Sequence, residues 1–434
     1  MQKSLPTFLL SLIIFFLACG NGKSKEVERD TSITLLTSFN NLFLDSISLA
    51  NFLSANPSYQ TYTEQFFNFY KERNYEYAWF DTSGLGEQAH NFLNLLNTTI
   101  NELHDSSLYD AALYKMYDEF HEVSGLKKSS KDALETELKM SGQFFKYAAK
   151  VFNGSDVDAT QLGWYIPRKK ISLSALLDTA LQSTKDISET DGIISPGYKK
   201  LITFLSRYYE LKKGNWDSIP TPDKPIHLGE KNFLLPKIKN RLFALGDLNN
   251  IDTTTLFDTS LYVATKKFQN RMGLSPDGAI GSKMMYELNV PIEKRIQQIL
   301  VNLERMRWLP AKQEGDFIFV NIPEYKMYVY ENGKPDFKMN VIVGKTTSST
   351  VIFSGSLKYV VFAPYWNVPK SIVQNEIVPG IEKNPDYLAN HNMEIVGKNG
   401  TLPEVRQLPG ENNSLGRVKF LFPNNYDIYF FPHH

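Results

Sequence analysis

The chain has 434 residues, with 47 lysines and arginines against 47 aspartates and glutamates, and 42% of its residues are apolar. A balanced charge argues against a nucleic-acid partner, which would need a basic surface, and the apolar content is enough for about two to three domains with real cores. Cys19 is the single cysteine, so no internal disulfide can form.

At the N terminus Lys3 gives a short basic start, Phe8 to Leu17 is nearly unbroken Phe, Leu and Ile, and Leu17-Ala18-Cys19-Gly20 closes the run. A basic start, an apolar stretch too short to span comfortably and then small residues predict a signal peptide over 1–19. Its end resembles the lipobox of bacterial lipoproteins, with Phe16 where Leu or Ile is commoner. That resemblance implies lipidation of Cys19; the alternative is an ordinary signal peptide with an incidental cysteine. No later apolar stretch approaches membrane-spanning length. The expected mature protein is periplasmic and membrane-anchored through lipidated Cys19.

Residues 20–62 read as a tether and docking segment, in which a Gly, Ser, Lys and Glu cluster gives way to Ile33, Leu35, Leu36, Phe39, Leu42, Phe43 and Leu44. Residues 63–218 read as a helical, aromatic-rich domain. Phe66, Phe67, Phe69 and Tyr70, then Leu134, Leu138, Phe144, Phe145 and Ala148 recur at three and four. Aromatics at helical spacing fill a core more often than they stack on sugars. The prolines of Ile219-Pro220-Thr221-Pro222-Asp223-Lys224-Pro225 predict extended backbone and a domain boundary.

Residues 227–290 read as three short helices. The first carries Leu234, Ile238, Leu242 and Phe243 to a C-cap at Gly246. The second runs from an N-cap at Asp258 through Leu261, Ala264, Phe268 and Met272. After the turn Pro276-Asp277-Gly278, a third helix starts at Gly281-Ser282. This order, with Lys267-Phe268-Gln269, Gly273-Leu274 and Ile280-Gly281, resembles the small peptidoglycan-binding domain of many cell-wall enzymes. Asp277 and Gly278 need no ligand to explain them, since they make the turn.

A connecting helix is predicted over 291–310, with Ile296, Ile299, Leu300, Leu303 and Met306 on one face and Pro310 as its stop. Beyond it the period changes to two. Phe317 to Asn321 and Met327 to Glu331 lead to the hairpin turn Asn332-Gly333, and the return strand should face Phe337, Met339, Val341 and Val343 inward. Strands are also expected at Leu357 to Ala363 and Arg417 to Phe422, with a helix at Ser371 to Val378. The fold class is therefore multidomain α+β.

Gly344-Lys345-Thr346 is not a phosphate loop, because Met339 occupies the place of the first glycine. His90, His104, His121, His227 and His391 show no metal spacing, and no metal or cofactor is expected. The decisive runs are Asn302-Leu303-Glu304-Arg305-Met306-Arg307-Trp308-Leu309-Pro310, Val320-Asn321-Ile322-Pro323-Glu324-Tyr325, Val341-Ile342-Val343-Gly344-Lys345, Pro364-Tyr365-Trp366-Asn367-Val368-Pro369, Asn390-His391-Asn392-Met393-Glu394 and Pro409-Gly410-Glu411-Asn412-Asn413-Ser414-Leu415-Gly416-Arg417. In this order they resemble the large periplasmic L,D-transpeptidases, over roughly residues 64 to 429.

The resemblance implies a helical scaffold domain, an inserted peptidoglycan-binding domain and, over 311–434, a β-rich catalytic domain. It implies peptidoglycan stem peptides and glycan as partners. Such enzymes attack the bond after the third residue of a stem peptide with a cysteine thiolate, and a side-chain amine of a neighbouring stem resolves the acyl-enzyme. The family places a histidine just after the strand matching Asp427 to Phe430 and a Ser-His-Gly-Cys-x-Arg segment a few dozen residues later. This sequence stops at His434 before such a segment. The expectation is a catalytic domain incomplete at its C terminus and inactive as it is, with His433 or His434 as a displaced remnant or a tail without a role. Tyr365, Trp366, Asn367 and Pro369 are candidates to shape the substrate groove, or simply pack the domain. Arg417 and Lys419 are candidates to meet stem-peptide carboxylates, or form a solvated strand face. The rival reading is a non-catalytic lipoprotein that anchors to peptidoglycan through 227–290.

Overall fold

The computed structural model describes residues 42–81, 84–121, 130–182, 195–310, 313, 315–345, 349–426 and 428–431. Cys19, His433 and His434 lie outside them. The chain divides into two compact units, one of residues 1–155 and 169–313, the other of residues 156–168 and 314–434. Among the described residues no helix is long and apolar enough to cross a membrane.

In the first unit, α1 (Ser46–Ala55) starts at Asp45, whose carboxylate caps it by accepting from the Ser48 amide. Then follow α2 (Thr63–Glu72), the strand pair β1 (Phe80–Asp81) and β2 (Gly84–Leu85), α3 (Glu87–Leu103), α4 (Ala111–His121), α5 (Ser130–Ala148) and α6 (Leu173–Gln182). Phe66, Phe69, Tyr70, Trp79, Phe144 and Phe145 are at most 2% exposed, which leaves no ring face among them for a sugar. Phe66 and Phe145 meet edge to face with centroids 5.1 Å apart. Burying each such ring contributes about 2–3 kcal/mol. α1 adds Leu49, Phe52 and Leu53 to the same core. Gly142 on α5 permits the close approach of Tyr59, whose ring would lie 2.8 Å from a Cβ at that position.

One carboxylate is buried in this aromatic core. Glu137 accepts from the Tyr70 hydroxyl at 2.7 Å and from the amides of Ala78 and Trp79 at 2.7 and 3.0 Å. It thereby holds the loop between α2 and β1 against α5. Burial pushes its pKa up from 4.5 to about 7, against the lowering effect of those donors.

A second core joins α7 (Pro196–Lys212), α8 (Leu235–Leu245), α9 (Thr259–Arg271), α10 (Ser282–Asn289) and α11 (Ile292–Trp308). The expected caps form: Gly246 ends α8 in the left-handed region, and Asp258 accepts from the Leu261 amide at 2.8 Å. Gly278 has φ +78°, and a Cβ there would strike the Tyr262 ring at 2.1 Å, so the turn requires glycine twice over. Phe243 and Leu300, expected on buried faces, are 43% and 38% exposed. Each sits one position past a buried neighbour (Leu242, Ile299), a rotation of about 100° that carries it off the apolar stripe.

The proline-rich run forms neither helix nor strand and bends at Asp223 and Lys224, but it is no free linker. Ile219 exchanges two hydrogen bonds of 2.8 Å with the Asn289 side chain, and Ile219 and Ile226 are 4% and 3% exposed. The Arg241 guanidinium lies 3.7 Å from the Trp216 ring centre and donates to the carbonyls of Leu288 and Asp217. The three helices therefore share one core with α7 and α11.

In the second unit β3 (Phe317–Asn321), β4 (Lys326–Glu331) and β5 (Lys334–Asn340) form an antiparallel sheet in that order. Asn332 and Gly333, with φ 50° and 73°, make the expected tight turn. β6 (Tyr359–Phe362) leads to β7 (Trp366–Asn367), then α12 (Lys370–Ile372), a π-turn at Val373–Ile377, α13 (Val378–Lys383) and α14 (Tyr387–Asn390). β8 (Met393–Asn399) and β9 (Leu402–Gln407) form a hairpin that the sequence reading did not foresee, and β10 (Val418–Leu421) pairs with β6. The alternation along β5 does not translate into burial: the strand is exposed throughout, Phe337 and Met339 by 48% and 46%. Alternation marks a face suited to burial, but an opposing layer must cover it, and none of the described residues covers β5.

Glu137→Gln tests the buried carboxylate. Because the folded pKa is raised, the group's contribution is full below about 4.5 and is lost as pH rises to about 7. The stability of wild type relative to Glu137→Gln should fall by roughly 1–3 kcal/mol across that window and stay flat above it, read by denaturant titration at successive pH values.

Candidate functional site

Three of the sequence runs singled out converge in the second unit, and buried amides hold them together. Ala363, with φ 48°, ends β6, and its amide donates to the Arg417 carbonyl at 2.9 Å. Past Pro364 the chain enters β7, where Trp366 pairs with Gln407 and Asn367 with Arg406. The Val368 amide donates to the Val405 carbonyl, and the Pro369 carbonyl accepts from Ile372 and Val373 to start α12. Val373 and Ile377 of the π-turn pack on Val405. Pro369 thus turns the strand into a helix whose buried face lies on the β7–β9–β8 sheet.

Gln407 and Asn413 are the groups that sequence reasoning missed as organisers. Gln407 is 5% exposed; its amide nitrogen donates to the carbonyls of His391 and Asn412 at 3.0 and 3.2 Å, and its oxygen accepts from the Ser414 amide at 2.9 Å. Asn413 is 4% exposed; it donates to the carbonyls of Pro364 and Leu408 at 3.2 and 2.9 Å and accepts from the Leu415 amide at 2.8 Å. The Asn392 carbonyl accepts from the Leu408 amide at 2.8 Å. These bonds join the runs 364–369, 390–394 and 409–417. The only signal in the sequence was the density of Asn and Gly over 410–416, which marks a turn but names no partner.

The candidate residues differ in what they present. Tyr365 is 51% exposed, with the Arg406 guanidinium 4.4 Å from its ring centre, and Arg406 Nε also donates to Glu394 at 3.0 Å. Tyr365, Arg406 and Glu394 therefore form an accessible row of an aromatic, a cation and an anion. Trp366 is half-buried and Asn367 exposed. Arg417 is not drawn into this row: it pairs with Glu411, with side chains 70% and 82% exposed. The Lys419 ammonium lies 3.6 Å from the Tyr429 ring centre, a cation–π contact. His391 donates from Nδ1 to the Tyr387 carbonyl at 2.7 Å and stacks on the Tyr387 ring, which makes it a cap of α14.

The run 302–310 sits in the first unit, at the end of α11. Burial alone would raise the pKa of Glu304, but donation from the Ser155 hydroxyl and amide, the charge of Arg307 and the Trp308 indole together hold it below its ordinary value. Glu324 of the run 320–325 is also lowered, first by the Tyr328 hydroxyl, which donates at 2.7 Å.

Asn413→Ala should cost the second unit about 2 kcal/mol, because it strands the Leu415 amide and two carbonyls. Arg417→Ala should cost no more than about 0.5 kcal/mol, as for any exposed pair. Equal losses in the two variants by thermal or urea denaturation would contradict this division.

Residues 64–205 match the Scaffold domain and residues 315–434 match the L,D-transpeptidase catalytic domain. A protein of Haemophilus influenzae named "Putative L,D-transpeptidase" is 31% identical over 149 residues, a stretch that covers 31% of this chain and 30% of that protein. The chain thus spans under a third of the length of this relative. The chain therefore carries a scaffold domain followed by an L,D-transpeptidase catalytic domain.

Proposed function

We propose that the chain acts on peptidoglycan, as an L,D-transpeptidase that links two stem peptides through their third residues. The match over residues 315–434 carries this reading. In such a reaction a cysteine thiolate attacks the carbonyl of the third residue and expels the amine of the fourth. A side-chain amine of a neighbouring stem then attacks the thioester and frees the thiolate. Tyr365, Trp366, Asn367 and Pro369 would shape the groove that receives the stem, with Arg406 beside Tyr365 to meet a stem carboxylate. Arg417, on the rim with Glu411, is the weaker partner for that carboxylate.

Residues 227–290 would hold the glycan or its stems. What supports this is an open concavity of about 280 Å³ lined by Leu274, Ser282, Lys283, Tyr286 and Glu287, in which Tyr286 is 71% exposed. Lipidation of Cys19 would keep the protein at a membrane face in the periplasm.

The second reading is a non-catalytic anchor, which the same concavity around Tyr286 supports. Muropeptide analysis separates the two. Under the first reading, deleting the locus removes cross-links between third residues. Under the second, those cross-links persist while the purified protein still sediments with isolated sacculi. Tyr286→Ala should lower that sedimentation by about three- to tenfold, the effect of losing one stacking ring. Unchanged sedimentation would remove residues 227–290 from the binding role.

A further inference from the structure

Residues 156–168 fall inside the stretch that matches the Scaffold domain, yet they fold with the C-terminal unit. We infer that this excursion is a built-in clasp: it docks on the edge at Ile352 and on Tyr426, and it positions the Phe420–Phe430 pairing. That pairing matters to catalysis only under the reading proposed above, since the family resemblance places a histidine just after the strand matching Asp427 to Phe430.

The stem of the excursion is tied within the first unit. α5 runs into a π-turn at Ala149–Asn153, and Gly154 turns the chain with φ 70°. Asn153 and Ile171 exchange two hydrogen bonds, of 3.3 and 3.0 Å, across the base. The Ser155 amide and hydroxyl donate to Glu304 at 2.6 and 2.7 Å, and the Lys169 amide donates to the Trp308 carbonyl at 3.1 Å. Both ends are thus held one turn apart on α11.

The tip is shaped locally and then spent on the second unit. Asp158 caps a short 3-10 turn, Ala159–Leu162, by accepting from the Thr160 amide and hydroxyl. The Arg168 guanidinium closes the loop on the Val157 carbonyl at 2.8 Å. Beyond the turn the backbone pairs as a strand would: the Ile352 amide donates to the Gly163 carbonyl at 2.9 Å, and the Tyr165 amide to the Ile352 carbonyl at 2.6 Å. Trp164, at the centre of this parallel bridge, is 6% exposed.

From Tyr165 a ladder of rings leads inward. Tyr165 meets Tyr426 at 5.2 Å, Tyr426 meets Phe353 at 5.1 Å, Phe353 meets Phe422 at 5.9 Å, and Phe422 meets Phe430 at 4.9 Å. Phe420 and Phe430 close the pair with reciprocal backbone bonds of 2.8 and 3.2 Å. Asn424 fastens the turn between them: its side chain donates to the carbonyls of Phe422 and Ile428 and accepts from the amides of Tyr426 and Ile428. Tyr426 is the ring of that turn which the clasp touches, so the clasp bears on Phe430 through contacts and not merely through proximity.

Amide hydrogen exchange on the full chain tests this, and it needs no substrate, so its result does not depend on whether the protein acts on peptidoglycan. Tyr165→Ala should speed exchange at Phe420 and Phe430 by about tenfold and leave the amides of α5 unchanged. Tyr165→Phe keeps the ring and should keep the protection. Tyr165→Pro also removes the donor to Ile352 and should exceed the alanine effect. Unaltered exchange at Phe420 and Phe430 in both Tyr165→Ala and Tyr165→Pro would overturn the inference. So would a uniform acceleration that includes α5, since the segment would then serve general stability only.

Discussion

Glu304 sits just before the last turn of α11, near the helix end whose dipole disfavours a carboxylate. It is tolerated there because it accepts from the Ser155 amide and hydroxyl and from the Trp308 indole, and it pairs with the Arg307 guanidinium. Those bonds set where the chain leaves the π-turn after α5, and Trp308 sets where it comes back at Lys169. Glu304 and Trp308 thus hold the two ends from which residues 156–168 depart.

The first unit is built on two cores that answer different constraints. The aromatic core around Phe66 and Phe145 needs close approach, hence Gly142 beneath Tyr59, and it needs a ligand for stray amides, hence Glu137. The second core absorbs the three helices of residues 227–290. Arg241, stacked on Trp216 and bonded to two carbonyls, fastens the chain just before the proline-rich run to α8 and α10. A run with three prolines has already lost much of its freedom before folding, so packing Ile219 and Ile226 costs little additional entropy. The three helices are consequently part of the first unit's packing and not a bead on a string.

The second unit is organised by polar groups more than by apolar ones. Its buried apolar set around β9 is small: Val373, Ile377 and Val405. Gln407 and Asn413 join three separate stretches of chain through side-chain amides, each acting as donor and acceptor at once. An amide side chain suits this task, because it satisfies two backbone groups of opposite polarity where a loop has no ladder to join. The accessible face of Tyr365, braced by Arg406, depends on that fastening through the Pro364 carbonyl.

Helix spacing, caps at Gly246 and Asp258, and the Asn332-Gly333 turn were legible in the sequence because each depends on residues within one or two turns of one another. The order of its motifs was likewise enough to indicate the family and the two matched domains. What neighbouring residues cannot encode is the partner. Alternation along β5 gave no sign that Phe337 and Met339 would lie exposed, and the Gly400-Thr401 turn between β8 and β9 went unread among polar residues. Nothing local distinguishes Glu304 from any exposed helix carboxylate, or residues 156–168 from an ordinary loop of the helical domain. Those assignments came only from tertiary structure, since they rest on contacts between groups as far apart in the chain as Ser155 and Glu304, or Tyr165 and Tyr426.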